Sequence, residues 1–258
     1  MIPVPICLQR LPRHQAPGSI VSLTPAEYWT LLLPGFEPGS STLDLAAPDC
    51  SGRFTLGQAA AGGAKHAVHP DEMVIGSGAD GFKIAWLPLG ANGTKRTGLL
   101  ALMRQKENFL EVYALGTHQG SLGDTRFTLE RMGPALVVVA REEHCRGSED
   151  ERRCDAASTV YLAGNGRLSA QAHFPLDHTV ESKGTATTVP SVYRFSASAE
   201  YRPDGIAITE KLSVTQKGRG EVSSVDLERT LRLQGGRLVP SGDSLWVQTA
   251  RQLNVPED

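Results

Sequence analysis

From Val192 to Tyr201 the chain changes character at nearly every step, and that period of two limits what it can fold into. Tyr193, Phe195, Ala197, Ala199 and Tyr201 fall on one side, while Arg194, Ser196, Ser198 and Glu200 fall on the other. Successive side chains of a strand point to opposite faces, so this segment predicts a strand with one buried and one wet face. Similar segments, separated by turn signals, recur from Gly76 to Arg251. The expectation is a mainly β protein: an antiparallel meander of about a dozen strands, forming a sandwich or a barrel, with one short N-terminal helix.

The turn signals supply the connectivity. Gly98 to Arg104 and Phe109 to Leu115 read as a hairpin around Lys106-Glu107-Asn108. Gly133-Pro134, Gly164-Asn165-Gly166 and Arg202-Pro203-Asp204-Gly205 mark three more turns, and Asn165-Gly166 is the strongest short hairpin signal. Ser241-Gly242-Asp243 reads as a break between the last short strands, which end near Gln248. Residues 1–75 differ, being rich in Pro, Gly and Ala, and are expected to be irregular apart from one helix that packs on the sheet. Thr24-Pro25-Ala26-Glu27 is a complete capping box, and Pro34-Gly35 stops the helix. Residues 76–258 then form the β domain. A polar stretch from Pro175 to Pro190 reads as a long connection and a possible seam between two subdomains.

Composition excludes some roles. With 26 basic and 28 acidic residues the formal net charge is −2, which argues against a nucleic-acid partner. No apolar run approaches the ~18 residues of a membrane-spanning helix. An outer-membrane barrel is disfavoured by the 6% of aromatic residues, by charge on the apolar face and by several strands expected to run only about six or seven residues. The start, Met1-Ile2-Pro3-Val4-Pro5-Ile6-Cys7, has neither the charged beginning nor the apolar stretch of a signal peptide, so the protein is cytoplasmic or a leader has been removed. Arginine far outnumbers lysine, a bias associated with GC-rich bacterial genomes.

The four cysteines bear on the compartment. Cys145 and Cys154 flank a charged loop between apolar segments, so a hairpin would bring them within disulfide reach, leaving Cys7 and Cys50 to tie down the N-terminal segment. That favours an oxidising, periplasmic or secreted location over the cytoplasm.

Motifs that carry chemistry are weak. Gly76-Ser77-Gly78-Ala79-Asp80-Gly81 matches a dinucleotide fingerprint, but Phe82 to Leu87 continues as a strand where a helix would have to start, so it reads as a glycine-rich hairpin loop. His66 and His69 could share a metal on a helix, but Pro70 ends any helix there. His173, Asp177 and His178 are the remaining acid–base candidates; adjacent Asp177 and His178 should point apart on a strand. Glu210 lies among Ile206, Ile208, Leu212 and Val214, and Arg229 among Leu227, Leu231 and Leu233. An unpaired buried charge costs several kcal/mol, so these two are predicted to pair. Glu210, Arg229, Asp177 and His178 are therefore the candidate ligand-contacting residues. The reading that results is a non-catalytic, exported binding or accessory protein with a protein or small-molecule partner and no cofactor. A hydrolase or metal-dependent enzyme using His66 and His69, or His173, Asp177 and His178, is the alternative, and a lipocalin-like ligand barrel a further one.

Overall fold

The computed structural model describes residues 4–12, 22–33, 36, 50, 52, 64–65, 69–146, 153–183, 189–216 and 218–255. The expected helix stop at Pro34-Gly35 and residues 147–152 of the charged loop lie outside them. The protein is mainly β. Its strands are β1 (Cys7–Arg10), β2 (Ala64–Lys65), β3 (Val74–Ser77), β4 (Phe82–Asn92), β5 (Lys95–Lys106), β6 (Phe109–Ser121), β7 (Thr125–Met132), β8 (Ala135–Arg146), β9 (Arg153–Gly164), β10 (Arg167–Ser182), β11 (Ser191–Arg202), β12 (Gly205–Gln216), β13 (Gly220–Gln234) and β14 (Arg237–Pro240). Two α-helices accompany them among the described residues, α1 (Pro25–Leu32) and α2 (Leu245–Leu253). The ladders β3–β4–β5–β6 and β10 to β14 are antiparallel, β10 meets β6 in a parallel bridge at Arg167–Leu115, and no described ladder closes into a barrel. The chain divides into two discontinuous compact units, Met1–Glu130 with Leu136–Ala140 and Tyr161–Ser169, and Arg131–Ala135 with Arg141–Val160 and Ala170–Asp258.

In the first unit, β4, β5 and β6 form the central ladder. Here the expected wet face is missing. Leu99, Ala101 and Met103 of β5 pack with Tyr28, Trp29 and Leu32 of α1. The alternate residues Leu100 and Leu102 pack on the other face with Trp86, Phe127, Val138 and Tyr161. Strands covered on both sides need no polar face, which is why Leu99 to Met103 reads as an unbroken apolar run. α1 forms as its sequence requires: Thr24 Oγ1 accepts the Glu27 N–H and Glu27 Oε2 accepts the Thr24 N–H at 2.8 Å, so the capping box is complete. The Trp29 indole donates to the Pro70 carbonyl at 3.2 Å, tying the helix to the 3-10 turn that precedes β3.

Several expected strands are longer than their sequences implied. β4 runs through Pro88 to Asn92 because the register shifts between Pro88 and Gly90, and a bulge tolerates a residue without an N–H. Its partner opposite Pro88 is Gly98, where a Cβ would lie 2.0 Å from the Leu87 carbonyl oxygen. The glycine-rich motif is a hairpin between β3 and β4, and Gly76 and Gly78 let β7 approach at Phe127 and Leu129.

In the second unit, β10 to β14 follow one another in an antiparallel ladder. Pro175 to Ser182, expected as a loop, belongs to β10. Pro175 precedes the start of the ladder to β11 at Asp177, so its missing N–H breaks no rung of it. The expected final strand is instead α2. Ser244 accepts the Trp246 N–H as N-cap, and Asn254 closes the helix at φ 54°. Trp246, Thr249 and Ala250 form its buried stripe, so the Ser241-Gly242-Asp243 turn leads into a helix, not a strand.

Two glycine substitutions test this packing. Gly98→Ala is expected to cost about 3 kcal/mol or more, because the new methyl meets backbone on a buried strand. Gly164→Ala, with nothing within 4 Å, should stay within about 0.5 kcal/mol of the parent. Urea denaturation of both variants measures the difference.

Candidate functional site

The second unit contains a buried charge pair, and the site is best built outward from it. The register sets Ile208 opposite Arg229 and Glu210 opposite Leu227, so Glu210 and Arg229 are diagonal neighbours on one face. Glu210 has no exposure and Arg229 is 8% exposed. The Arg229 Nε donates to Glu210 Oε1 at 2.5 Å, and the Leu245 N–H donates to Glu210 Oε2 at 2.7 Å. Leu245 is the first residue of α2, so the carboxylate also satisfies a free amide at the helix N-terminus, where negative charge is favoured. Both oxygens are thus engaged, and the pair docks α2 onto the sheet.

Beside it lies a second paired group. His178 of β10 stacks on Trp246 with ring centroids 4.5 Å apart and an interplanar angle of 7°, and its Nδ1 is 3.2 Å from Asp155 Oδ1. Asp177 points to the opposite, exposed side, as its neighbour position on a strand demands. Although exposed, Asp177 is partly desolvated by its neighbours, which raises its carboxyl above the ordinary range, with Arg141 opposing. His173 is exposed and bonds to Thr159. These acid–base candidates are therefore not brought together. His69 is exposed beside the short 3-10 turn Pro70–Glu72, and His66 lies outside the described residues. Among the described residues the one cluster with metal-ligand spacing is Glu143, Cys145 and Cys154. Its cysteines are joined as a disulfide, as are Cys7 and Cys50, so neither sulfur is a thiolate ligand.

What remains open is the end of the sheet beyond α2. Cross-strand partners define a row His178–Phe195–Leu212–Val225, running from β10 to β13. His178 and Phe195 are buried, Leu212 is half-buried and Val225 is 45% exposed. Tyr193 and Val214, in the next row, are half-buried as well. An apolar row therefore leaves the core under Trp246 and reaches the surface at the sheet edge. From Gly220 to Asp226 every residue of β13 is exposed. The opposite face of the same strands is polar. A hollow of ≈ 200 Å³ forms there around Ala207, between Glu200 and Thr230, with Ser198, Arg202, Thr209 and Glu228 on its walls. The Arg202 guanidinium, 2.6 Å away, keeps the Glu200 carboxyl below the usual range.

Two polar clusters in the first unit escaped the sequence reading. Arg104 and Glu111 face each other across the β5–β6 hairpin, and both bond to the Tyr113 hydroxyl. Burial, then the Glu111 hydrogen bond, pushes Tyr113 up to about 12, while the hydrogen bonds from Tyr113 and Arg104 outweigh burial and hold Glu111 low. Counting outward from Lys106 and Phe109, the turn-flanking pair, would have found them. His118 has no such signal. It is 1% exposed, its Nδ1 is 2.7 Å from the Tyr161 hydroxyl, and burial, assisted by Lys95, lowers it to about 3.

No helix among the described residues is long and apolar enough to cross a membrane. No family model, no curated protein and no solved structure matches the chain.

Glu210→Leu is expected to cost about 3–5 kcal/mol, since it strands the buried Arg229 charge. Adding Arg229→Leu should recover part of that loss, leaving about 1–3 kcal/mol for the orphaned Leu245 N–H. Denaturant melts of the single and double variants separate the two. His118 predicts a pH dependence of defined sign. Its imidazole stays neutral in the fold while the unfolded chain takes up a proton below about pH 6.5, so stability falls with pH from there towards pH 3. The slope from this group is about 1.4 kcal/mol per pH unit. His118→Gln, which keeps a partner for Tyr161, should flatten the stability–pH curve between pH 6 and 4 by one proton.

Proposed function

We propose that the protein is a non-catalytic β-rich binding or accessory module, exported to the periplasm, envelope or exterior, that meets its partner at the open end of the β11–β13 sheet. The observation that carries this reading is the His178–Phe195–Leu212–Val225 row, which continues the core to an exposed valine at a sheet edge. Sheets normally bring such a row to a polar end, and contiguous apolar surface rimmed by polar residues marks contact sites. The two disulfides support the compartment, because such bonds persist where thiol reductants are absent. Each closes its own part of the chain, Cys7–Cys50 across a separation of 43 residues and Cys145–Cys154 across 9.

Two measurements on the protein in its native host test the proposal. Alkylation at the moment of lysis should find all four cysteines oxidised. A photo-cross-linking residue at position 225 should give a discrete adduct, and the same residue at Thr94, in the exposed β4–β5 turn, should not. Free thiols, or equal labelling from both positions, would overturn the reading.

A further inference from the structure

The edge of β13 offers more than exposed side chains. β14 pairs with β13 only from Leu231 to Gln234. Where that ladder ends, the Thr230 carbonyl accepts the Ser241 N–H and the Thr230 N–H donates to Ser241 Oγ, so Thr230 presents its backbone to the outer side. The chain then turns away into α2. Alternate residues of a strand present backbone groups to the same side, so Ser224, Asp226 and Glu228 do as Thr230 does. Among the described residues no strand pairs with that side of β13 ahead of Leu231. Ser224, Val225, Asp226 and Glu228 are exposed, and Leu227 is half-buried.

The two faces of this edge differ in chemistry. Val225 and Leu227 lie on the face shared with Leu212, Phe195 and α2. Asp226 and Glu228 lie on the other, and Glu221 adds a third acid near the start of the strand. Lys211 is opposite Asp226, but on β12, one strand further from the edge. A strand laid along β13 would place alternate side chains beside Val225 and Leu227, and the others beside Asp226 and Glu228. Directly opposed residues lie about 5 Å apart and favour apolar pairs and opposite charges. A second copy of the chain would bring the same three acids to the seam. A basic strand would neutralise them.

Resting on the binding reading above, we propose that β13 accepts one extended segment of a partner protein between Ser224 and Glu228, as an added strand whose side chains alternate apolar and basic. Main-chain bonds to Ser224, Asp226 and Glu228 supply the attachment, and the two faces set the sequence preference. The acids that deter edge-to-edge self-association thereby select the partner.

The test uses the full oxidised chain and a short capped peptide of alternating valine and lysine, with a valine–glutamate peptide and a block-ordered valine–lysine peptide as controls. Binding followed by calorimetry should be measurable for the alternating basic peptide and weaker by about tenfold or more for each control. Asp226→Pro removes an outward N–H that no described strand receives, a position where an edge strand tolerates proline. It should lower affinity by about tenfold while the far-ultraviolet spectrum and melting temperature stay those of the parent. Asp226→Lys with Glu228→Lys should switch preference to the glutamate peptide. Equal binding of all three peptides, no effect of Asp226→Pro on a folded variant, no binding of any peptide, or concentration-dependent dimerisation through this edge would each overturn the proposal. If the peptides fail while the cross-linker at 225 still gives its discrete adduct, strand addition falls and the binding reading stands; if both fail, both fall.

Discussion

A carboxylate with no exposure must find its hydrogen bonds inside the protein, and the second unit is arranged around how Glu210 does so. One oxygen takes the Arg229 guanidinium and the other the first amide of α2. Neither partner alone would do: the arginine balances the charge, and the amide fixes where the helix must begin. With that amide placed, Trp246 comes down on His178 and Phe195, and the small residue Ala250 fits behind it. Apolar contacts are non-directional, so on their own they would permit α2 to slide. The charged anchor permits one position.

The first unit solves a different problem. Its central strands are covered on both faces, by α1 on one side and by Phe127, Val138 and Tyr161 on the other. That arrangement brings backbones so close that some positions admit no side chain, as at Gly98 against Leu87 and Gly116 against Leu168. It also buries polar groups without full satisfaction. The His118 Nε2 and the Trp86 indole nitrogen have no hydrogen-bond partner among the described residues, which is the energetic cost of placing polar rings in a core of this density.

What could be read from the amino acids follows from this contrast. β11 was legible because one of its faces is wet, so its alternation survives in the residue types. β5 lost its alternation when both faces were buried, yet its turn residues still located it. Glu210 and Arg229 pair on facing positions alone, but the reason for the pair is not visible there, since it depends on the Leu245 amide, and the residues of α2 read as the end of a strand series. The stripe Trp246, Thr249, Ala250 was present; a Ser-Gly-Asp sequence suits both a turn and the approach to an N-cap. Proline removes a ladder donor, so Pro88 and Pro175 look like strand ends; they lie within strands because a bulge and a ladder start respectively ask for no donor. Nothing local could mark β13 as an edge. That property belongs to where β14 stops.

The order in which the chain is made gives the Glu210 anchor a further meaning. Every strand of the β10–β13 ladder is synthesised before α2, so for a time the nascent sheet holds an acid, a base and Phe195 with no lid to cover them. Burial of that row cannot be completed until Leu245 to Val255 have emerged. Closure of the fold is thereby deferred to the last segment that the sheet requires.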